Sequence, residues 1–228
     1  MAAPSPLQRA RVDAVLFDFD GTLVDSAPDM AATANEMRSA QGMHPAPYES
    51  LRRMVGSGAR GMLAVAFGVK PGEPHYDELR TDFLVRYERR MLQGTAVFAG
   101  MHDVLARLHT HAIRWGVVTN KATRLAAPMM QGLGLSQRCA TLIGGDSTPY
   151  SKPHPEPLLE AARRLGVPAG RCVYVGDDVR DIRAGRAAGM ATLAAAWGYL
   201  GDGEPIHAWG AEAVLTTPDA LLNWLDLA

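Results

Sequence analysis

The chain has 228 residues, enough for one sizeable core plus a modest appendage. Its 23 basic residues against 24 acidic ones leave a net charge of −1, too weak a field to hold a polyanion, so nucleic acid is not expected as a partner. Only Cys139 and Cys172 occur. Far apart and each in an apolar setting, they read as buried thiols of a reducing compartment rather than a disulfide or metal framework.

No apolar run approaches the roughly 20 residues that span a bilayer, and residues 1–11 contain two prolines and no apolar core of a signal peptide. A cytoplasmic chain with no membrane attachment is the expectation.

Residues 12–17 form a short apolar run with Asp18 at its end, the pattern of a buried parallel strand that delivers a carboxylate to its C-terminal edge. Ligands of open α/β sheets bind at that edge. Residues 29–41, 46–54, 59–67 and 76–93 then carry helical spacing, broken by Gly42, the Gly56-Ser57-Gly58 turn and the proline-rich loop from Pro71 to Pro74. Four helices with no intervening strand predict a bundle, its interior supplied by Met54, Val55, Leu63, Phe67, Leu79, Phe83, Leu84 and Tyr87.

From Phe98 the texture alternates. Helices are expected at 101–109, 123–133, 155–165, 179–188 and 218–225, and strands at 113–118, 141–143, 172–175, 191–195 and near Val214. Such β-α alternation predicts a doubly wound parallel sheet. The expected organisation is therefore an α/β, Rossmann-like core at 1–24 and 97–228 with a helical cap inserted at 25–96, hinged near 24–27 and 95–99.

Four strand ends carry polar clusters. In Asp18-Phe19-Asp20-Gly21-Thr22 two carboxylates stand two residues apart, and leaving both ionised at a sheet edge favours a hard cation bound by oxygen. Val117-Val118-Thr119-Asn120 ends in a hydroxyl and an amide, which suit phosphoryl oxygens or a helix cap. Ser151-Lys152-Pro153 keeps a lysine in a chain whose only other lysines are Lys70 and Lys121; an ammonium there is a point charge for phosphate or a solvated loop residue. Gly176-Asp177-Asp178-Val179-Arg180-Asp181 supplies three aspartates where capping needs one. His154, His109 and His111 are read as loop residues with no metal.

The ordered strings DFDGTLVDS, VVTNK, SKPHPEP and VGDDVRDI resemble the four motifs of the haloacid dehalogenase superfamily, with the helical insertion where its first cap type belongs. That resemblance implies a Mg2+-dependent phosphomonoesterase for a small phosphorylated metabolite. Asp18 would be the nucleophile that forms an aspartyl-phosphate, and Asp20 the proton shuttle. The metal would sit on the Asp18 carboxylate, the Asp20 backbone carbonyl and Asp177, with Asp181 holding a metal-bound water or orienting Lys152. Thr119, the Asn120 backbone amide and Lys152 would surround the phosphoryl group. Asp178 stands where a serine or small residue is commoner and is read as a helix cap.

Within the superfamily the chain resembles bacterial phosphoglycolate phosphatases and also the branch that hydrolyses N-acetylmuramic acid 6-phosphate. Gly56 to Arg60 resembles the cap's specificity loop, which would bring Arg60 to a substrate carboxylate. Asp20 argues against a dehalogenase, whose halide needs no proton, and Lys70 is the only candidate Schiff-base lysine for a phosphonate hydrolase. A sugar-phosphate mutase and a catalytically idle binding relative are the remaining alternatives. Residues 197–203 follow a strand end and are a candidate pocket border to which no weight is given.

Overall fold

The computed structural model describes residues 12–227; the N-terminal stretch read above as lacking a signal peptide lies outside them. Strands β1 (Ala14–Phe17), β4 (Arg114–Val118), β5 (Leu142–Ile143), β6 (Cys172–Gly176), β7 (Ala191–Ala195) and β8 (Ala213–Leu215) form one parallel sheet in the order β5-β4-β1-β6-β7-β8. The chain winds outward from β1 through β4 to β5, then returns to the other side of β1 and winds outward again through β6, β7 and β8, so the winding reverses beside β1. The crevice of a doubly wound sheet opens at that switch point.

Helices cover both faces because side chains alternate along each strand. Val15 and Phe17 point to the face packed by α5 (Met101–Thr110), α6 (Thr123–Gly132) and α9 (Ala220–Trp224). Ala14 and Leu16 point to the other, packed by Leu158, Ala161 and Leu165 of α7 (Glu156–Leu165) and Ala184 of α8 (Val179–Ala187).

Between β1 and the rest of the sheet run α1 (Ala27–Ala40), α2 (Tyr48–Arg53), α3 (Gly58–Phe67) and α4 (Tyr76–Arg90). They enter and leave through a two-stranded antiparallel ribbon, β2 (Val24–Asp25) with β3 (Ala96–Val97), which the sequence reading did not foresee. Two-residue strands carry no periodicity to read. The other helix and strand ends match expectation or differ from it by at most three residues, the largest difference at α4, expected to run to residue 93 and ending at Arg90.

The interior of the helical part is continuous with the core: Met30, Leu51, Phe83 and Tyr87 belong to the same apolar cluster as Phe17 and Val117. Val55, Leu63, Phe83 and Tyr87 are buried as expected, whereas Met54, Phe67, Leu79 and Leu84 are only partly so. Cys172 is buried and Cys139 partly exposed, and the two are unbonded. No described helix is long and apolar enough to cross a membrane.

Asp29, 2 % exposed, fastens α1 to the exit of α4. Its carboxylate accepts from the Gly94 amide at 2.9 and 3.0 Å and from the Thr95 amide and hydroxyl at 2.8 and 2.9 Å. Removing it leaves those donors buried without an acceptor. Asp29→Ala should therefore lower the unfolding free energy by about 3 kcal/mol, read as a fall in the urea midpoint at unchanged slope.

Candidate active site

Three strand ends at the switch point meet in one crevice. Strand β1 hands over to Asp18, β4 to Thr119 and β6 to Asp177, and the loop before α7 adds Lys152. The sequence readings of these positions converge in space: Asp18, Asp20, Thr119, Asn120, Lys152, Asp177 and Asp181 all line one cavity of about 560 Å³, together with Arg60. Ligand pockets commonly run to roughly 300–1,000 Å³.

The carboxylates of Asp18, Asp177 and Asp181 offer oxygens within 4.8 Å of one another. One ammonium answers them directly: Lys152 Nζ lies 2.7 Å from Asp18 Oδ1 and 2.7 Å from Asp181 Oδ1. It also donates to the Val118 carbonyl at 3.1 Å and to the Tyr174 hydroxyl at 2.8 Å, which in turn donates to Val118. Burial alone would lower the Lys152 pKa, yet the charges of Asp18 and Asp181 carry it upward.

The acids are left with a deficit of positive charge. Burial, and then the negative charge of Asp181 set against the pull of Lys152, pushes the Asp18 carboxyl up to about 7. Burial and the neighbouring Asp18 and Asp181 push Asp177 well above the usual carboxylate range. Asp18 Oδ1 is buried, makes no well-aligned hydrogen bond, and only leans on the Lys152 ammonium. A hard divalent cation with oxygen ligands fits this donor set, since it supplies the missing charge to groups that are otherwise driven to hold protons.

The remaining contacts fix these groups in place. Asp177 accepts from the Thr22 hydroxyl at 3.0 Å and from the Tyr199 amide at 2.8 Å. Glycines make room for it: a Cβ on Gly21, where φ is +87°, or on Gly198 would come within 2.2 Å of Asp177 atoms. Asp181 accepts from the Asp178 amide and Asp178 from the Arg180 amide, a reciprocal cap on α8. Asp181 therefore both caps a helix and orients Lys152. The Asn120 side chain clamps the Lys152 backbone from both sides, accepting from its amide at 2.9 Å and donating to its carbonyl at 3.0 Å.

Asp20 stands apart from the three-acid cluster. Its carboxylate accepts from the Ser26 hydroxyl at 2.6 Å and from Lys121 Nζ at 3.0 and 3.2 Å. Lys121 was missed in the sequence, where it had no more claim than a residual surface lysine; its rarity was the available clue. Asp178 does more than cap: it grips Arg180 through Nε and a terminal nitrogen, both at 2.7 Å, and Arg180 donates at 2.6 Å to the Gly56 carbonyl of the turn between α2 and α3.

Two further candidate segments lie outside the cavity. Residues 197–203 do not line the cavity but brace it from behind: Trp197 donates to the Thr22 carbonyl, and the Tyr199 hydroxyl binds Asp25 and the Ser26 and Ala27 amides. Lys70 does not line the cavity either, which leaves no lysine of the helical insertion there.

The haloacid dehalogenase-like hydrolase family model matches residues 15–195. An N-acetylmuramic acid 6-phosphate phosphatase from Pseudomonas aeruginosa is 42% identical over 97% of this chain and 98% of its own. A phosphoglycolate phosphatase from Xanthomonas campestris is 50% identical over 91% of this chain and 94% of its own. Among solved structures, a predicted phosphoglycolate phosphatase from Haemophilus somnus superposes with a TM-score of 0.83 at 25% identity, covering 94% of this chain and 99% of that one.

The raised Asp18 carboxyl has a signed consequence for stability. Folded chains hold its proton up to about pH 7, unfolded ones only to 3.8. Its stabilising contribution is thus complete below pH 3.8 and lost as pH rises through 7. In chelator, Asp18→Asn should be more stable than the parent at pH 8, by the order of 2 kcal/mol, with the gap closing toward pH 4. Urea titrations across that range read it out. Millimolar Mg2+ should stabilise the parent more than the variant.

Proposed function

Because the chain belongs to the haloacid dehalogenase-like hydrolase family, we infer that it is a magnesium-dependent phosphatase of small phosphate monoesters that works through an aspartyl-phosphate on Asp18. The observation that carries this reading is the meeting of Asp18, Asp177 and Asp181 within 4.8 Å at the strand ends, beside a single buried lysine.

Asp18 is the nucleophile. Its carboxylate oxygen forms a bond to phosphorus as the bond to the ester oxygen breaks, and water later hydrolyses the acyl phosphate. Asp20 gives a proton to the departing alkoxide and takes one from the attacking water. Lys152, already 2.7 Å from Asp18, lies beside the incoming phosphoryl group and offsets its negative charge; Thr119, 4 % exposed, offers a hydroxyl to its oxygens, and the Asn120 amide a donor. Asp18, Asp177 and the Asp20 backbone carbonyl would hold Mg2+, with Asp181 behind them, and the ion would supply positive charge to offset these acids and the phosphoryl oxygens. Helices α1 to α4 roof the crevice and exclude water from it.

The roof also points to the substrate. Arg60 and Arg80 of the roof line the cavity along with Met30, Val55, Phe83 and Leu84, and Arg124 and Leu125 of α6 line it from the core side. Guanidinium groups above an apolar wall suit a second anionic group on a molecule with apolar surface. Both named relatives point to phosphate esters that also bear a carboxylate. The cavity is ample for the bulkier of these, and N-acetylmuramate 6-phosphate is the reading its size favours over 2-phosphoglycolate.

A panel of 2-phosphoglycolate, N-acetylmuramate 6-phosphate and hexose phosphates should show Mg2+-dependent phosphate release with the highest kcat/KM for the muramate ester. Asp18→Asn should abolish turnover on every substrate. Arg60→Ala should lower kcat/KM for the preferred carboxylate-bearing ester by tenfold or more, while hexose phosphates change little. An unchanged preference would remove Arg60 from substrate recognition, and absence of turnover by the parent in Mg2+ would leave an idle binding relative.

A further inference from the structure

Lys121 and Tyr87 have no part in the reaction as assigned so far, yet both are buried beside Asp20. The Lys121 side chain is 8 % exposed and Tyr87 1 %. Lys121 follows β4 on the core, and Tyr87 lies in the last turns of α4 on the roof. Their meeting is a contact between the two parts of the molecule, made within 3.2 Å of the carboxylate that handles the proton.

The geometry is closely specified. Lys121 Nζ donates to Asp20 Oδ1 at 3.0 Å, to Asp20 Oδ2 at 3.2 Å and to the Tyr87 hydroxyl at 3.0 Å. Tyr87 is itself wedged: its ring stacks on Phe83 at 6.0 Å between centroids, and its hydroxyl donates toward Met129 Sδ of α6 at 3.7 Å. A buried ammonium needs its donors used, and a buried phenol needs a partner. Each satisfies the other only while α4 sits on the core. The remaining side chain on Asp20, Ser26, belongs to the β2–α1 connection through which the chain enters the roof.

We propose that Lys121 and Tyr87 are positioning residues that form a strut from the roof helix α4 to Asp20, so that the proton-transfer carboxylate is held in its working place only when the roof is seated. This rests on the assignment of Asp20 as acid and base above. In the step concerned, the bond from phosphorus to the ester oxygen breaks and a proton passes from the Asp20 carboxyl to that oxygen; Lys121 and Tyr87 keep their protons. With the roof lifted, Lys121 loses one of its partners and Asp20 part of its support. Proton delivery to a poor leaving group is then the first thing to fail, because a good leaving group departs without it.

The strut is read by leaving-group dependence, using kcat/KM because that constant reports steps up to alcohol departure. Parent, Tyr87→Phe and Lys121→Met proteins are assayed in Mg2+ on p-nitrophenyl phosphate, on phenyl phosphate and on an alkyl phosphate turned over by the parent. Tyr87→Phe keeps the packed ring, so it reports even if Lys121→Met, which strips Asp20 of its cation, does not fold. The alkyl ester should lose about tenfold in Tyr87→Phe and about a hundredfold in Lys121→Met, with phenyl phosphate intermediate and p-nitrophenyl phosphate losing several-fold less than the alkyl ester. Equal losses across the three esters, or none in Tyr87→Phe, overturn the proposal and leave the pair as packing. Failure of the parent to hydrolyse any ester sinks the phosphatase assignment instead, so the two outcomes are told apart.

Discussion

The structure depends on an electrostatic imbalance at one rim of the sheet. Three carboxylates are drawn within 4.8 Å, and one ammonium lies among them. Parallel strands impose this, because β1 and β6 end side by side and each is followed at once by an aspartate. Two like charges in so dry a place resist ionisation together, and the chain holds them only by enclosing them in directed donors from Thr22, Tyr199 and Asp178. The same unsatisfied demand suits the rim to a hard cation with oxygen ligands.

Around that rim the polar contacts fall into two sets with different tasks. Lys152, Tyr174, Asn120 and Asp181 belong wholly to the core and brace the surroundings of Asp18. Lys121 with Tyr87, and Arg180 with Gly56, run from the core to the helical insertion. These ties cross where the apolar interior is already continuous, from Phe17 through Tyr87 to Met30. Burial gives the two parts their cohesion, and the few hydrogen bonds give them their alignment.

What the sequence made legible was local. A strand whose side chains end in acid shows itself in a handful of consecutive letters, and so Asp18, Thr119, Lys152, Asp177 and Asp181 could be named and placed at one edge. The alternation of Ala14 and Leu16 with Val15 and Phe17 likewise carries both faces of the sheet. Pairings across long separations were not readable: Tyr87 meets Lys121 across 34 residues, and Arg180 meets Gly56 across 124. Tyr87 looks like any interior aromatic of a helix until its hydroxyl is seen, and Asp178 looks like any N-cap until Arg180 folds over it. Strands β2 and β3 are too short for a pattern, and their pairing exists only because the insertion returns to where it began.

The tightness at Gly21 and Gly198 sets where this architecture can drift. Both positions face Asp177 with backbone alone, so even a methyl group there would collide with the acid. The cavity's arginines, by contrast, are carried on helices: Arg60 on α3, Arg80 on α4 and Arg124 on α6. Gly21 and Gly198 therefore have no side chain to shorten and no room to gain one, which confines variation around this cavity to the side chains that line its other walls.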